Sequence, residues 1–481
     1  MKYLNKIIEY GLYLLVFLLP LQARWIIRPG FTEYQTRSLY GTDILLILLL
    51  AMFILVIASD RRKRSNLGFV AIGRGLLRRY VPRNDRVVWL LIAGLIMMSG
   101  VSVFFAISKP LAAYKFGWLI LGAGLFWILA KAAYDRVKLV WSLLLGLALQ
   151  SLLAVWQFLT QETFANKWLG MSAHQAADLA VSAIETAGAD GVGERWLRSY
   201  GGFDHPNILG GVMAVGILLL VGEIVVNNQY PISNIQTNSK FKIQNSKIIF
   251  WIFLVLFSAA LFFSFSRAAW LALGAGLAAL LAGAVVKKNL LAQKNILQAV
   301  LVSGLVFFIL FFQFPNLVMT RLYGGARLEN KSVSERLESM KNSLPIIKKN
   351  WAGGTGIGNY ILALERGLPE RESYVYQPAH NVYLLVFSEL GALGLILFLG
   401  LIFVIARRPV LGPTRQFLVK LRVREIASFP SVTRNDNGAA VSIALVVLLS
   451  LDHWLWSLHF GVLFFWLVIG LAYNSARFSR S

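Results

Sequence analysis

Residues 206–226 read P-N-I-L-G-G-V-M-A-V-G-I-L-L-L-V-G-E-I-V-V, with Glu223 as the only charge. A helix needs about 20 mostly apolar residues to cross roughly 30 Å of hydrocarbon. Proline at the first position suits a helix start, where its missing N–H costs nothing. The stretch therefore reads as a membrane-spanning helix. Working outward, similar stretches lie near 7–27, 39–59, 87–107, 111–132 and 138–158 on one side. On the other they lie near 248–266, 267–286, 295–315, 379–406, 437–456 and 457–475. The sequence thus predicts an all-α polytopic membrane protein with about twelve transmembrane helices.

Composition agrees. Of 481 residues, 57% are hydrophobic and 15% charged, where a soluble domain has about 25% charged. Mean hydropathy is +0.64. The net charge of +24 would suggest nucleic-acid binding in a soluble protein. Here 29 of the 47 lysines and arginines fall in the two terminal segments and alternate connections, which is the positive-inside pattern. Both termini are accordingly expected in the cytoplasm, with no nucleic-acid partner. Reversing the chain would place Arg61, Arg62, Lys63, Arg64, Arg407 and Arg408 outside. There are no cysteines, so neither a disulfide nor a thiolate site exists. The five histidines show no metal-ligand spacing, so neither metal nor cofactor is expected. Residues 7–27 lack a small-residue cleavage site and read as a retained first helix.

The segments divide the chain. Residues 1–158 carry helices one to five, and 159–205 form a first outer loop, with Trp168 suggesting contact with the membrane interface. Residues 206–315 carry helices six to nine, 316–378 form a large outer loop, and 379–481 carry helices ten to twelve. Within the large loop, Val333, Leu337, Met340, Leu344 and Ile347 recur at helical spacing. Ser332 and Glu335 have the spacing of a capping box at the start of that helix. Pro345 should bend or end it. Residues 227–247 read as a polar inner loop.

Ionisable groups at membrane depth are costly and need a reason. Glu9, Asp43, Lys115, Glu223, Arg267, Glu389 and Asp452 are such groups, and several stand near helix ends, where snorkelling suffices. Arg267 lies in F-S-F-S-R-A-A-W with no acidic neighbour. It either snorkels to set the turn or binds an anion in an outer cavity. Arg198 opens R-S-Y-G-G-F-D-H-P-N, residues 198–207. A glycine turn and helix start explain Gly202, His205 as a cap, and Pro206, but not Arg198, whose guanidinium suits a phosphate. Gly201 and Gly202 would let backbone approach a ligand. In P-A-H-N, residues 378–381, His380 is either structural or a base that accepts a proton from a hydroxyl. G-G-T-G-I-G-N, residues 353–359, is a turn rather than a dinucleotide site, because no βαβ unit surrounds it.

Four segments in order resemble the O-antigen ligase and O-antigen polymerase family. They are R-S-Y-G-G-F-D-H-P-N (198–207), S-F-S-R-A-A-W (264–270), S-E-R-L-E-S-M (334–340) with G-G-T-G-I-G-N-Y (353–360), and H-N-V-Y-L-L-V-F-S-E-L-G-A-L-G (380–394). The resemblance covers roughly 195–400. It implies a C-type glycosyltransferase-like fold and inverting, metal-independent transfer of a glycan from undecaprenyl pyrophosphate on the outer face of a bacterial inner (plasma) membrane. It places catalytic roles on Arg198, Arg267 and His380, and a loop role on Arg336. Gly202, His205, Asn207 and Asn381 complete the candidate substrate-binding set. The aromatic residue that often follows the loop arginine is Met340 here. The implied partners are the lipid-linked donor, membrane lipid, and an acceptor that is a glycan, a lipid or a protein. Ligase and polymerase share these motifs. The alternative class is a secondary transporter or flippase for lipid-linked glycans. Against it, the ionisable groups gather at one face and no inverted repeat is evident.

Overall fold

The computed structural model describes residues 2–67, 83–178, 181–186, 193–229, 246–324, 327–368, 371–407 and 434–475. The chain begins with α1 (Lys2–Leu18), followed by a hairpin of β1 (Arg24–Arg28) and β2 (Arg37–Tyr40). Four long helices follow: α2 (Gly41–Leu67), α3 (Arg83–Phe105), α4 (Lys109–Lys131) and α5 (Arg136–Thr160). A loop with the small ribbon β3 (Ala183–Glu185) and β4 (Arg195–Leu197) leads to α6 (Pro206–Gln229). Next come α7 (Ser246–Phe263), α8 (Arg267–Val286) and α9 (Leu290–Gln313). A second loop folds into α10 (Pro315–Tyr323), α11 (Arg327–Asn350) and α12 (Tyr360–Gly367). The chain closes with α13 (Val382–Arg407), α14 (Arg434–Leu451), the single turn α15 (Trp454–Ser457) and α16 (His459–Ser475).

Helices stand at all twelve places that hydropathy marks. Among the described residues, eight are long and apolar enough to cross a membrane, and three shorter apolar helices accompany them. The first helix departs from its expected range of 7–27. It ends at Leu18, and residues 24–28 form a strand. Pro20 disfavours helix in the residue before it, and a longer helix would carry Arg24 into hydrocarbon.

The central helix is α6, nearly all of whose apolar span is buried inside the protein. It touches α5, α7, α8, α9 and α14. A helix that is apolar all round belongs in lipid or among other helices, and here its neighbours surround it. Small residues admit them closely: a Cβ on Gly222 would lie 1.8 Å from the Asn437 amide. The ionisable groups at membrane depth find partners. Arg136 donates to Glu223 at 2.8 Å, His459 meets Asp43 at 2.6 Å, and Tyr13 donates to Glu9 at 2.7 Å.

The helix ends carrying the two long loops all lie at one end of the bundle, the loop end. There α13 is broken at Gly391, which has φ 68°. The glycine turn 353–358 crosses the break, since a Cβ on Gly391 would stand 2.2 Å from the Ala352 carbonyl oxygen. Two differences mark the large loop. Its long helix starts at Arg327, so Ser332 and Glu335 lie inside it, and it passes through Pro345 as far as Asn350.

Candidate active site

The 198–207 segment is held to α5 by two glutamines. Gln157 accepts the N–H groups of Tyr200 and Gly201 at 3.0 and 2.8 Å and donates to the Gly201 carbonyl at 2.8 Å. Gln150 accepts the Gly202 N–H at 2.5 Å, and Gln22 donates to the Gly202 carbonyl at 3.3 Å. Gly202 is thus buried, and its small size is spent against Gln150 rather than at an open surface. His205 behaves as a cap. Its Nδ1 accepts the Asn207 N–H at 3.1 Å, and its Nε2 meets the Ser182 hydroxyl at 2.8 Å. Burial, with the Arg198 charge beside it, holds His205 well below the usual imidazole value, so it is neutral there.

Arg198 is buried, and it points along the top of α6. Its Nε donates to the Ser264 carbonyl at 2.8 Å, and its Nη2 donates to Asn207 Oδ1 at 2.7 Å. Asn207 in turn donates through Nδ2 to Asp452 Oδ2 at 2.8 Å. Asp452 Oδ1 accepts the His453 N–H at 2.8 Å and stands 3.7 Å from His380 Nδ1 and 4.0 Å from His453 Nε2. The His380 and His453 rings lie 5.0 Å apart. Arg198 and His380, 182 positions apart in the chain, are therefore joined through two side chains. Asn381 has a different task. It accepts the Leu384 N–H at 3.1 Å and donates to the Ser450 carbonyl at 3.1 Å, which ties the start of α13 to the end of α14.

The tautomers follow from the partners. The Ser457 hydroxyl donates to the His453 carbonyl at 3.1 Å, so at 2.7 Å it accepts a proton from His453 Nδ1. His453 Nε2 then turns a lone pair toward Asp452. His380 Nδ1 is buried with no hydrogen-bond partner among the described residues. Burial works to raise Asp452, but His380, His453 and Arg336 overcome it and hold the carboxyl well below its usual range. Burial outweighs the pull of Asp452 on His453 and, with the charges of His380 and Arg336, pushes it down to about 3. The result is a carboxylate flanked by two imidazoles, all three ligand atoms within 4.8 Å of one another. Such a group can orient and share a proton, and two nitrogens with an oxygen can also take a divalent ion. No local spacing in the sequence reveals it.

Arg267 starts α8, after Ser266 caps the helix. Its Nη1 donates to the Arg321 carbonyl at 3.2 Å, and its Nη2 lies 3.4 Å from Glu329 Oε2. Arg321 donates through Nε to the Phe265 carbonyl at 2.8 Å and pairs with the other Glu329 oxygen. Burial, and the neighbouring charges of Arg321 and Arg336, lower Arg198 well below an ordinary guanidinium. The Arg336 side chain makes no hydrogen bond or ion pair among the described residues. Its charge is nonetheless felt by Arg198, Arg321, Asp452 and His453. Arg267 and Arg321 thus share Glu329, while Arg198 and Arg336 have no carboxylate in ion-pair range among the described residues, and the excess positive charge favours a polyanion.

Sequence reasoning picked out Arg198, Arg267, Arg336 and His380, and the structure brings their neighbourhoods together. It did not assign roles to His453, Arg321 or Glu329, and it read Asp452 only as a charge near a helix end.

The fold and site define a polytopic all-α integral membrane protein with a group of arginines beside an imidazole–carboxylate centre. Residues 252–399 match the sequence profile of the family described as O-antigen ligase, so over that span the chain is similar to O-antigen ligases. The span holds Arg267, Arg336 and His380, whereas Arg198, Asn207 and Asp452 lie outside it. No curated protein matches the chain. The match supports a function of the O-antigen ligase and polymerase type.

Proposed function

We propose that this protein transfers a glycan from undecaprenyl pyrophosphate to an acceptor hydroxyl, in the manner of an O-antigen ligase, with the loop end on the outer face of a bacterial plasma membrane. The observation that carries the reading is the path Arg198–Asn207–Asp452–His380, which joins a guanidinium to an imidazole through two side chains. Nothing here resembles a nucleotide-binding loop, so the energy comes with the activated donor. Arg198, Arg267, Arg321 and Arg336 surround the pyrophosphate. His380, with its Nδ1 proton directed at Asp452, offers Nε2 to the acceptor O–H and takes its proton. The acceptor oxygen attacks the anomeric carbon from the side opposite the leaving group. The carbon–oxygen bond to pyrophosphate breaks, and its electron pair leaves on the phosphate, where the guanidinium groups stabilise the growing charge. One displacement inverts the anomeric configuration.

The same steps serve a polymerase when the acceptor is a growing chain. A defined polyprenyl-pyrophosphate donor offered with lipid-linked, glycan and protein acceptors separates these cases. In the first test, Arg267→Ala and His380→Ala are expressed in membranes and glycan transfer is scored. Each should lose on the order of 10²–10³ in rate. Wild-type transfer by both variants would sink the assignment. A purified protein that moves lipid-linked glycan across vesicles but transfers none would establish the transporter reading instead.

A further inference from the structure

The hairpin β1–β2 packs through β2, where Ser38 and Tyr40 are buried against Tyr114 and His459, while β1 stands open. Trp25 is 71% exposed, Ile26 52%, Ile27 65%, and Phe31 in the connecting loop 60%. Successive strand residues project to opposite faces, so Trp25 and Ile27, with Leu39 across the register, form one open apolar face, and Ile26 adds an exposed side chain to the other. A two-stranded hairpin is marginal in water even without that burden. Beside it, Lys167 lies 6.0 Å from the Trp25 ring, and Trp168 is 80% exposed. A contiguous apolar patch of this kind marks an interaction surface.

A second observation concerns charge. Arg28 and Arg37 are direct partners across the hairpin register, and the side chain of neither makes a hydrogen bond or ion pair among the described residues. Like charges set opposite each other destabilise a ribbon unless they share an anion, and a phosphate matches two guanidinium groups. A third observation is position. The hairpin leaves α1 at its loop end, and α2 starts at Gly41, directly after β2. The ribbon therefore stands at the level where the helices emerge from hydrocarbon. There an amphipathic segment with tryptophan and arginine is at home.

We propose that the hairpin seats itself in the headgroup layer of the leaflet on the loop side. Trp25, Ile26 and Ile27 enter the acyl boundary, and Arg28 with Arg37 closes on the phosphate of an anionic lipid. The loop between the strands reaches the site described above. Tyr34 is buried there, donates to Gln377 at 2.8 Å, and packs edge-on to His453 at 5.7 Å. Seating the hairpin thus fixes one wall of the site, although the proposal does not depend on the reaction assigned to it.

The absence of cysteine makes the test clean. Ile26→Cys carries a spin label in nanodiscs, one protein per disc, made of phosphatidylglycerol or of phosphatidylcholine. Lys331→Cys is the aqueous control and Leu301→Cys on α9 the lipid control. In phosphatidylglycerol the label at 26 should resemble the one at 301, with access to oxygen several-fold above access to a nickel chelate. Arg28→Gln with Arg37→Gln, or phosphatidylcholine alone, should shift it toward the label at 331. A label at 26 that meets the nickel chelate freely in both lipids overturns the proposal. So does one shielded from both reagents in either lipid, which would mean a protein covers the patch.

Discussion

Asp452→Asn removes one charge and almost no volume. Asp452 Oδ1 stands 3.7 Å from His380 Nδ1. Two unit charges about 4 Å apart interact by about 4 kcal/mol at an effective dielectric near 20. His380 is partly open to solvent, and screening there leaves roughly 2–3 kcal/mol of support for the imidazolium that forms as the acceptor proton is taken. At 1.4 kcal/mol per factor of ten, that is a loss of roughly 10² in kcat. The proton geometry acts in the same direction. If the introduced amide keeps its oxygen toward Asn207, its NH₂ faces His380 Nδ1, which then becomes an acceptor, and Nε2 carries the proton and no longer serves as a base.

The binding side should change little, because the carboxylate holds the pyrophosphate ligands only through Asn207. Transfer by purified Asp452→Asn, measured across a donor concentration series, should therefore show a lower kcat with the donor KM near wild type. Transfer within about three-fold of wild type, from protein of normal membrane yield, would refute the proton-relay reasoning. So would a loss confined to KM.

Three further outcomes follow. Arg336→Gln should raise the donor KM by about ten-fold or more, as befits a charge-assisted contact worth about 1.5–3 kcal/mol; because the Arg336 side chain makes no hydrogen bond among the described residues, its melting temperature in detergent should not move. Gly391→Ala should cost roughly 1–3 kcal/mol, read as a lower melting temperature and poorer membrane yield, because φ is 68° and its Cβ would meet the Ala352 carbonyl. The depressed His453 value predicts acid sensitivity. Above its unfolded value near 6.5 both states are neutral and nothing is gained or lost; as pH falls below that, the unfolded imidazole takes a proton that the folded one refuses until about 3. Stability should fall by about 2 kcal/mol at pH 5, and His453→Gln should flatten that slope in a thermal-unfolding series.

The membrane helices were legible because lipid demands long apolar runs, and runs are local. The first helix was misjudged because residues 19–27 stay apolar while Pro20 and Arg24 forbid a continuous span. The helical period in the large loop was legible too, but a period does not say which medium each face meets. In α11 the residues turned inward are Glu329, Ser339, Ser343 and Ile347, while Val333, Leu337 and Leu344 face outward. Small side chains allow close packing on α13, and Glu329 is drawn in by Arg267 and Arg321. Arg198, Arg267 and His380 could be singled out because each interrupts or borders an apolar run without a local reason. Asp452 had a local excuse at a helix end, and His453 followed it as an unremarkable neighbour. Their meaning comes from His380 and Asn207, which contact them only after the bundle closes.

That closure explains how the two halves of the site can differ in rigidity. Asn207 sits in the first turn of α6, the most deeply buried helix, and it holds Arg198 on one side and Asp452 on the other. Arg267 is fixed at the start of α8 by the Ser266 cap. Arg321 on α10 is likewise tied, to the Phe265 carbonyl and to Glu329, whereas the Arg336 side chain on α11 has no hydrogen bond or ion pair among the described residues. Groups that guide proton transfer need near-fixed geometry, because small displacements cost large factors in rate. Groups that surround a pyrophosphate can approach and withdraw with the donor. For the proposed reaction, a fixed post in α6 with one unbonded arginine on α11 suits a site that admits a lipid-linked donor, closes on it, and releases a charged product.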